Sequence, residues 1–277
     1  MRDNLGNADR EKKQDMQGKP VHGFFYHLFG ILKAAALIII FLIAASAALH
    51  QTMTVWEKGR TPPAGDLVTA DGHKMSIYVT GRGENTIVLL PGLGTAAPIL
   101  DFMPLAQALA RENRVVVVEP LGYGWSDTTK KARTVENTVE ELRIALKAKG
   151  LDGPYVLMPH SISGIDALYY ANTYPDEVCA VIGIDCTLPA MPDYFGEGEP
   201  AQVPAVLGLL NPVGIIRWSC MLNPDAYISD NSSGLYTPGN LAMQKRIAAR
   251  MGQNATVIDQ MNRIGDNLEI TKDMKFD

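Results

Sequence analysis

Ser161 is the residue whose surroundings most favour chemistry. It follows a short apolar run and precedes a helical pattern, in the sequence Pro154-Tyr-Val-Leu-Met-Pro-His-Ser-Ile-Ser-Gly164. A sharp turn between a strand and a helix presents a serine oxygen at the edge of a sheet, where the oxygen can attack a carbonyl carbon. The pattern therefore predicts a nucleophilic serine. A serine that only caps an ordinary helix is the simpler alternative for this position.

Two serines lie in this turn, and their neighbours decide between them. Residues two places from such a nucleophile must be small, because the strand end packs closely against the helix start. For Ser161 the residues in question are Pro159 and Ser163, followed by Gly164. For Ser163 one of them would be Ile165, whose β-branched side chain would clash. Ser161 is therefore the predicted nucleophile.

Two backbone N–H groups are predicted to stabilise an oxyanion beside Ser161. The first belongs to Ile162, at the positive end of the following helix. The second belongs to Leu93, in the loop Pro91-Gly-Leu-Gly94 that follows a short apolar run. Glycines let that loop come close to the serine.

A serine nucleophile needs a base to accept its proton, and the histidines of this chain offer no obvious one. His160 directly precedes Ser161, and adjacent side chains diverge at such a turn, so we interpret His160 as structural. No histidine follows it in the sequence. The others lie near the N-terminal apolar segment or in a hairpin turn, at His22, His27, His50 and His73.

Asp185 is the candidate for the acid that would orient a base, because it ends the strand predicted after the nucleophile helix. A solvated or capping aspartate at a strand end is the alternative. Glu119 and Asp127 are interpreted as structural. No group of histidine, cysteine and carboxylate residues has the spacing of metal ligands, so neither a metal nor another cofactor is predicted.

The elements that would position these residues alternate between strand and helix. Strands are predicted at Leu67–Thr69, Lys74–Thr80, Thr86–Leu90, Arg114–Glu119, Tyr155–Met158 and Val181–Asp185. Helices are predicted at Pro98–Arg111, between a cap at Thr134 and Gly150, and at Ile165–Tyr174. The first two strands form a hairpin around Asp71-Gly72. The alternation predicts an α/β protein, with a mostly parallel sheet and helices on both faces.

From Leu188 onward the pattern changes, because helical segments follow one another without strands between them. They are predicted at Ala205–Leu210, Asn240–Met251 and Thr256–Ile264. A helical insertion at the carboxyl ends of the strands commonly covers a site, so we expect a cap over Ser161.

Residues 24–49 are predicted to form a transmembrane anchor, because Ala34–Leu49 carries no charge. Counted from Leu28, a helix here would be roughly 33 Å long, enough to cross a bilayer core. A cleaved signal peptide is the main alternative, since Ala45-Ser46-Ala47 resembles a cleavage site. A buried core helix is the other.

The basic residues around the anchor predict its orientation. Five precede it, at Arg2, Arg10, Lys12, Lys13 and Lys19, and two follow closely, at Lys58 and Arg60. The positive-inside rule then puts a disordered tail, residues 1–23, in the cytoplasm, and the main domain outside it. Residues 50–65 are expected to be a linker.

Composition excludes several classes of protein. A length of 277 residues suits one substantial domain with an appendage, and a net charge of −5 gives no indication of nucleic-acid binding. Three cysteines, Cys179, Cys186 and Cys220, are too few for a disulfide framework. A Cys186–Cys220 bridge and a pair of buried thiols are both compatible with this spacing.

From Leu67 to Pro189 the chain resembles the α/β-hydrolase family, in the form of its membrane-anchored bacterial members. The resemblance rests on the motifs Val88-Leu-Leu-Pro-Gly-Leu-Gly94, Glu119-Pro-Leu-Gly-Tyr-Gly-Trp-Ser-Asp127 and Met158-Pro-His-Ser-Ile-Ser-Gly164. It implies a core at residues 66–189 and a cap at 190–267. It also implies the roles given above to Ser161, Leu93 and Ile162.

Two departures from the family qualify the expected activity. Pro159 replaces the usual glycine before the nucleophile, and the family's later strands, with an aspartate and a histidine, have no counterpart here. Residues 268–277 are therefore expected to be the truncated start of the next core segment. We expect a serine hydrolase that acts on a small ester, amide or related acyl compound, impaired in this chain. A catalytically inactive, membrane-anchored binding protein of the same fold is the alternative.

Overall fold

The computed structural model describes residues 21–196, 198 and 200–276. Residues 1–20 of the predicted tail, residues 1–23, lie outside the described residues. The chain divides into two compact units, Met1–Ser46 and Ala47–Asp277.

Helix α1 spans Val21–Arg60. Its part Phe25–Arg60 is long and apolar enough to cross a membrane, with a mean hydropathy of 2.7 over its most apolar window, and no residue of that window is buried. The helix does not end at residue 49, where a linker was expected. It continues to Arg60 because polar side chains of its last turns, which belong to the second unit, are bonded there. His50 and Glu57 both bond to Arg217.

The second unit contains a mixed sheet, in the order β1-β2-β4-β3-β5-β6 among the described residues. Its strands are β1 Asp66–Ala70, β2 His73–Thr80, β3 Thr86–Leu90, β4 Arg114–Glu119, β5 Tyr155–Pro159 and β6 Val178–Val181. Strands β1 and β2 pair antiparallel, as do β2 and β4. The pairs β3–β4, β3–β5 and β5–β6 are parallel. The predicted α/β architecture with a mostly parallel sheet is confirmed.

Four helices flank the sheet: α2 Pro98–Asp101, α3 Met103–Leu109, α4 Val135–Ala148 and α5 Ser163–Thr173. The single helix expected over Pro98–Arg111 is thus two short ones, which meet at Phe102. Pro104 explains the break, because a proline lacks the N–H that would continue the hydrogen-bond ladder of α2.

Alternate residues of the central strands build a core on each face of the sheet. On one face, Val88 and Val116 pack with residues of α4 and α5 such as Val139 and Ile165. On the other, Leu89 and Val117 pack with Ile99 and Phe102. Burial on both faces explains why these strands are continuous β-branched and leucine runs.

Strand β6 differs from the expected strand Val181–Asp185. It lies earlier, at Val178–Val181, and only an isolated bridge between His160 and Ile184 follows it. The backbone nevertheless continues to bond to β5, through Ile182 N–H to Leu157 O at 2.9 Å and Ile184 N–H to Pro159 O at 2.8 Å. Gly183 interrupts the regular strand between these contacts.

The region after Leu188 is helical, as expected. It contains α6 Met191–Phe195, α7 Ile215–Leu222, α8 Pro238–Met251, α9 Ala255–Asn262 and α10 Ile264–Thr271, with 3₁₀ turns at Ala205–Leu209 and Pro224–Tyr227. Helix α10 includes the first residues of the segment 268–277, and Leu268 packs against the core beside α5. This packing holds the end of the described chain on the helical layer, outside the sheet.

The three cysteines are free, so the suggested Cys186–Cys220 bridge is wrong. A buried pair of thiols is wrong as well, because Cys220 is buried but Cys186 is only half-buried. Cys179, on the edge strand β6, is exposed.

The cap of α4 gives a test of local stability. Thr134 Oγ1 accepts a hydrogen bond from Asn137 N–H at 3.4 Å. Thr134→Ala should lower the free energy of unfolding by about 1 kcal/mol, because an N–H at the helix start loses its partner. Thermal unfolding of the full chain in detergent measures the effect. Thr134→Ser, which keeps the oxygen, should restore most of the stability, and equal losses in both variants would contradict the capping role.

Candidate active site

Ser161 lies in a strained turn between β5 and α5. Its φ angle is 52°, in the left-handed region that a non-glycine residue rarely adopts. The helix starts only at Ser163, so Ser161 stands outside its regular turns. Hydrogen bonds fix the turn: Ser161 N–H donates to Ile184 O at 3.3 Å, and its carbonyl accepts from Thr187 N–H at 2.7 Å and from Gly164 N–H at 3.0 Å.

Small residues surround the turn because the backbone segments approach each other closely. A Cβ on Gly164 would lie 2.3 Å from Thr187 O, and one on Gly92 would lie 2.8 Å from His160 Nδ1 and 3.1 Å from Ser161 Cβ. Ser163 is buried, and its hydroxyl donates to Pro91 O at 2.6 Å. The loop after β3 is thereby held against the turn that carries Ser161.

The N–H groups of Leu93 and Ile162 form no hydrogen bond with any residue that the structure describes. Both belong to segments near Ser161: Ile162 follows it directly, and Leu93 follows Gly92, where an added Cβ would lie only 3.1 Å from Ser161 Cβ. Two such donors near a serine oxygen can stabilise a negative charge that develops on a substrate carbonyl. The arrangement suits acyl chemistry.

A hydrogen-bonded pair that we did not predict from the sequence supports the loop that carries Leu93. Gly94 N–H donates to Tyr123 Oη at 3.3 Å, and Tyr123 Oη donates to Gln260 Oε1 at 2.6 Å. Burial raises the pKa of Tyr123 to about 12, so its hydroxyl stays protonated and available as a donor at neutral pH. The glycines on either side of Tyr123 were the only signal in the sequence for its special position.

A cavity of about 410 Å³ opens beside the same loop. Leu93 and its successors to Ala97 line it on the core side, and residues of the cap line it on the other, including Ile228, Val257 and Met261. Ser161 is not among the lining residues. This volume lies within the range of small-molecule sites.

The polar side chains of this cavity are largely satisfied by one another. Ser229 Oγ bonds to Asp101 Oδ1, and Ser229 N–H donates to Gln244 Oε1 at 2.7 Å. Gln244 Nε2 donates in turn to Asn240 Oδ1 at 2.8 Å. An apolar part of a ligand could therefore enter without separating a charged group from its partner.

Asp185 follows Ile184, whose carbonyl holds the backbone of Ser161. It is exposed and has a φ of 44°, in the left-handed region. Asp185 thus lies one residue after the backbone contact that holds the turn at Ser161. Among the described residues it has no histidine partner, and its role as an acid stays a prediction.

Four histidines have described side chains, and none of them bonds to Ser161. His160 packs edge-on against Phe102, with ring centroids 6.5 Å apart, and His73 contacts Asp71 O at 2.9 Å. His50 accepts from Arg217 Nε at 3.2 Å, and His27 lies exposed on α1. The described part of the chain therefore provides no histidine as a base for Ser161.

Glu119 and Asp127 have structural roles. Glu119 is fully buried and accepts hydrogen bonds from Trp125 N–H at 2.8 Å and Ile99 N–H at 3.3 Å. Asp127 accepts from Lys74 N–H at 2.8 Å, which joins its loop to β2. Among the described residues, no group of three or more histidine, cysteine, aspartate or glutamate residues could hold a metal ion.

A small, mostly apolar chamber of about 20 Å³ lies next to the start of α5, and Ser163, Asp166, Arg133 and Glu141 are among the charged and polar residues in its wall. Arg133 Nη1 donates to Glu141 Oε1 at 3.0 Å, so the positive charge of Arg133 is already paired. Burial raises the pKa of Asp166 to about 7, while Arg133 and a hydrogen bond from Ser163 oppose the shift. Asp166 is half-buried in the first turn of α5, and its place in this wall indicates a role in supporting the turn.

Comparisons with known proteins identify the fold. Residues 85–211 match the family model of the alpha/beta hydrolase fold. The enol-lactonase from Burkholderia xenovorans LB400 is structurally similar, with a TM-score of 0.53 and 15% identity over 71% of this chain and 73% of that chain. The chain has the α/β-hydrolase fold. The fold that the sequence resemblance implied is thereby confirmed.

Two further relatives define how far the similarity extends. The chain is 34% identical to the uncharacterized protein YbdG of Bacillus subtilis (strain 168) over 220 residues, which cover 77% of this chain and 61% of YbdG. Epoxide hydrolase VrEH1 from Vigna radiata gives a TM-score of 0.52 and 18% identity, over 74% of this chain and 73% of that chain. Because a lactonase and an epoxide hydrolase share the architecture, the fold alone does not identify the reaction.

The titration of Asp166 gives a test of this site. Its raised pKa means that the folded protein holds a proton that the unfolded chain has lost between about pH 4 and about pH 7. Stability should therefore fall as the pH rises through this range. Asp166→Asn should reduce that fall, as measured by melting temperature from pH 5 to pH 8. Glu119, whose pKa burial also raises to about 7, should account for part of the remaining slope.

The exposed Asp176 provides the control for this experiment. Asp176→Asn should leave the pH dependence of the melting temperature unchanged. If Asp166→Asn gives the same profile as Asp176→Asn, the carboxyl of Asp166 is not protonated in the folded protein at neutral pH.

Proposed function

We propose that this chain is a membrane-anchored serine hydrolase that acts on a small ester, amide or related acyl compound. The observation that supports this most directly is the strained turn at Ser161, next to two N–H groups without partners among the described residues. Ser161 Oγ would attack the substrate carbonyl, and the Leu93 and Ile162 N–H groups would hold the resulting oxyanion. The carbonyl would re-form as the C–O or C–N bond breaks, and the alcohol or amine would leave with the serine proton. Water would then hydrolyse the acyl-enzyme, which releases the free acid and restores the Ser161 hydroxyl.

The cavity next to Leu93 supports a small substrate. Its apolar lining from both core and cap can receive an acyl group, and its polar side chains are already paired. A serine at the position of the nucleophile favours acyl transfer over reactions that need a carboxylate nucleophile, such as the opening of epoxides on this fold.

The proposed reaction requires a base that accepts the proton of the Ser161 hydroxyl. None of the histidines at positions 27, 50, 73 and 160 contacts the serine hydroxyl. We therefore propose that turnover by this chain is impaired. A serine hydrolase without its base retains the acceleration that comes from the oxyanion contacts and from substrate binding, about 10³- to 10⁴-fold over water.

The same observation favours a second candidate, an inactive anchored protein that binds acyl compounds in the cavity. The two candidates differ in the reactivity of Ser161. A fluorophosphonate probe, applied to membranes that contain the full gene product, should label Ser161, and mass spectrometry locates the label.

Ser161→Ala should abolish this labelling, whereas Ser232→Ala, at an exposed serine, should leave it unchanged. Unchanged melting temperatures would show that both variants fold. A folded, unlabelled wild-type protein would exclude the hydrolase and favour the binding protein.

The helix Phe25–Arg60 would serve as the anchor, and the excess of basic residues before it would place the main domain outside the cytoplasm. Cys179 tests this orientation because it is free and exposed. A thiol reagent that cannot cross membranes should modify Cys179 in intact cells and leave the buried Cys220 unmodified. Modification of Cys179 only after the cells are lysed would reverse the proposed orientation.

A further inference from the structure

Asp101 is the one acidic residue in the wall of the cavity beside Leu93, counting the residues that the structure describes. No lysine, arginine or histidine from the described part of the chain lines the same cavity. Asp101 also takes part in none of the ion pairs found between described residues. The wall therefore carries a negative charge that no described side chain of opposite charge balances.

A helix-capping role does not account for this carboxylate. Asp101 ends α2 and lies two residues before the start of α3, where an acidic side chain often accepts hydrogen bonds from backbone N–H groups. Among the described residues, however, the one hydrogen-bond partner of the carboxylate is the hydroxyl of Ser229. A bond to a neutral hydroxyl leaves the negative charge in place, so the carboxylate keeps the capacity to bind a cationic ligand.

Hydrogen bonds from the cap hold the end of α2 in position. Tyr236 Oη donates to Asp101 O at 2.7 Å, and Asn240 Nδ2 donates to Leu100 O at 3.0 Å. The bond from Ser229 attaches a further segment of the cap to the carboxylate itself. These contacts use neutral groups, so they fix Asp101 without compensating its charge. A ligand would find the carboxylate already positioned, which lowers the entropic cost of binding.

Tyr227 adds an aromatic ring to the same wall. Its Oη donates to Ser219 Oγ at 2.7 Å, and the ring packs against the cluster that contains Ile216 and Ala248, so both ends of this side chain are held. The face of an aromatic ring attracts a cation, and ammonium groups are often recognised in this way. A carboxylate and an aromatic ring in an otherwise uncharged wall therefore suit a ligand with a positive charge.

We infer that the cavity selects acyl compounds that carry an ammonium group, with Asp101 as the residue that determines this specificity. The carbonyl of the ligand would lie at Leu93, and its ammonium group would lie at Asp101, since both residues line the one cavity of about 410 Å³. The attraction is stronger than in bulk water, because Asp101 is half-buried and the effective dielectric constant is lower there. This inference rests on the proposed function, because it names the substrate class of the same cavity.

Two esters of equal shape test this preference. One is 2-(trimethylammonio)ethyl acetate, and the other is 3,3-dimethylbutyl acetate, in which a carbon atom replaces the charged nitrogen. Isothermal titration calorimetry would measure the binding of each ester to the full chain in an uncharged detergent. All samples would carry Ser161→Ala, so that hydrolysis does not contribute heat. Each ester is compared between variants, because its partition into the detergent is then the same in every sample.

Asp101→Asn removes the charge and keeps an oxygen that can accept from Ser229. It should weaken binding of the charged ester about tenfold and leave binding of the neutral ester unchanged. Asp225→Asn is the matched control, because it removes the same charge from an exposed position of the cap that does not line the cavity. Melting temperatures would show that the variants fold, and Asp101→Ser would replace Asp101→Asn if the latter does not. Equal binding of the charged ester by the Asp101 and Asp225 variants would overturn the proposal.

Labelling of Ser161 by the fluorophosphonate separates this inference from the proposed function. If the wild-type chain is labelled but Asp101→Asn does not weaken binding of the charged ester, the ammonium preference is wrong and the hydrolase remains. If Asp101→Asn weakens that binding but the folded wild-type chain is not labelled, the preference stands and belongs to a binding protein. If the charged ester does not bind at all, the inference is wrong whatever the labelling shows.

Discussion

The backbone at Ser161 is the constraint on which the rest of the candidate site depends. A left-handed conformation at a non-glycine residue costs about 1 to 3 kcal/mol and persists only where the surrounding structure enforces it. Here the carbonyl of Ile184 and the N–H of Thr187 hold the turn from one side, and the loop at Gly92 packs against it from the other. The same strain lifts the serine out of the helix and leaves the N–H of Ile162 without a partner among the described residues. The left-handed backbone at Ser161 thus costs conformational free energy and also gives the serine and the Ile162 N–H their positions.

Helix α9 is connected to the candidate site through a pair of hydrogen bonds. Gln260 Oε1 of α9 accepts a hydrogen bond from Tyr123 Oη, and Tyr123 Oη accepts one from Gly94 N–H, next to Leu93. A displacement of α9 would therefore change the support of one proposed oxyanion donor. Since α8 and α9 also line the cavity, ligand contacts in the cap and the position of the loop are mechanically connected. A ligand would change the position of α9 and of the loop only if it binds the changed arrangement more tightly than the present one.

The strands and the helices beside them could be predicted because their residues alternate or repeat with the period of each element. Thr86–Leu90 and Arg114–Glu119 are found at their predicted limits, since both strands are buried on two faces. The predictions failed where a distant partner decides the structure. Residues 50–60 remain helical because Arg217, 160 positions after Glu57, pairs with that residue. The bond between Tyr123 and Gln260, 137 positions apart, likewise leaves no periodic trace in the sequence.

The proposed chemistry has two requirements: stabilisation of an oxyanion, for which the described residues offer candidates, and proton transfer, for which they offer none. Under either proposed function, the strained serine, the two N–H donors and the cavity beside Leu93 would bind an acyl compound, and the donors would favour charge on its carbonyl oxygen. Proton transfer is the additional requirement for turnover, and no described histidine meets it at Ser161. Both proposed functions therefore use the same geometry, and they differ by one proton acceptor. Because oxyanion stabilisation acts without that acceptor, the proposed hydrolase function leads us to expect a slow acylation of Ser161 that remains measurable.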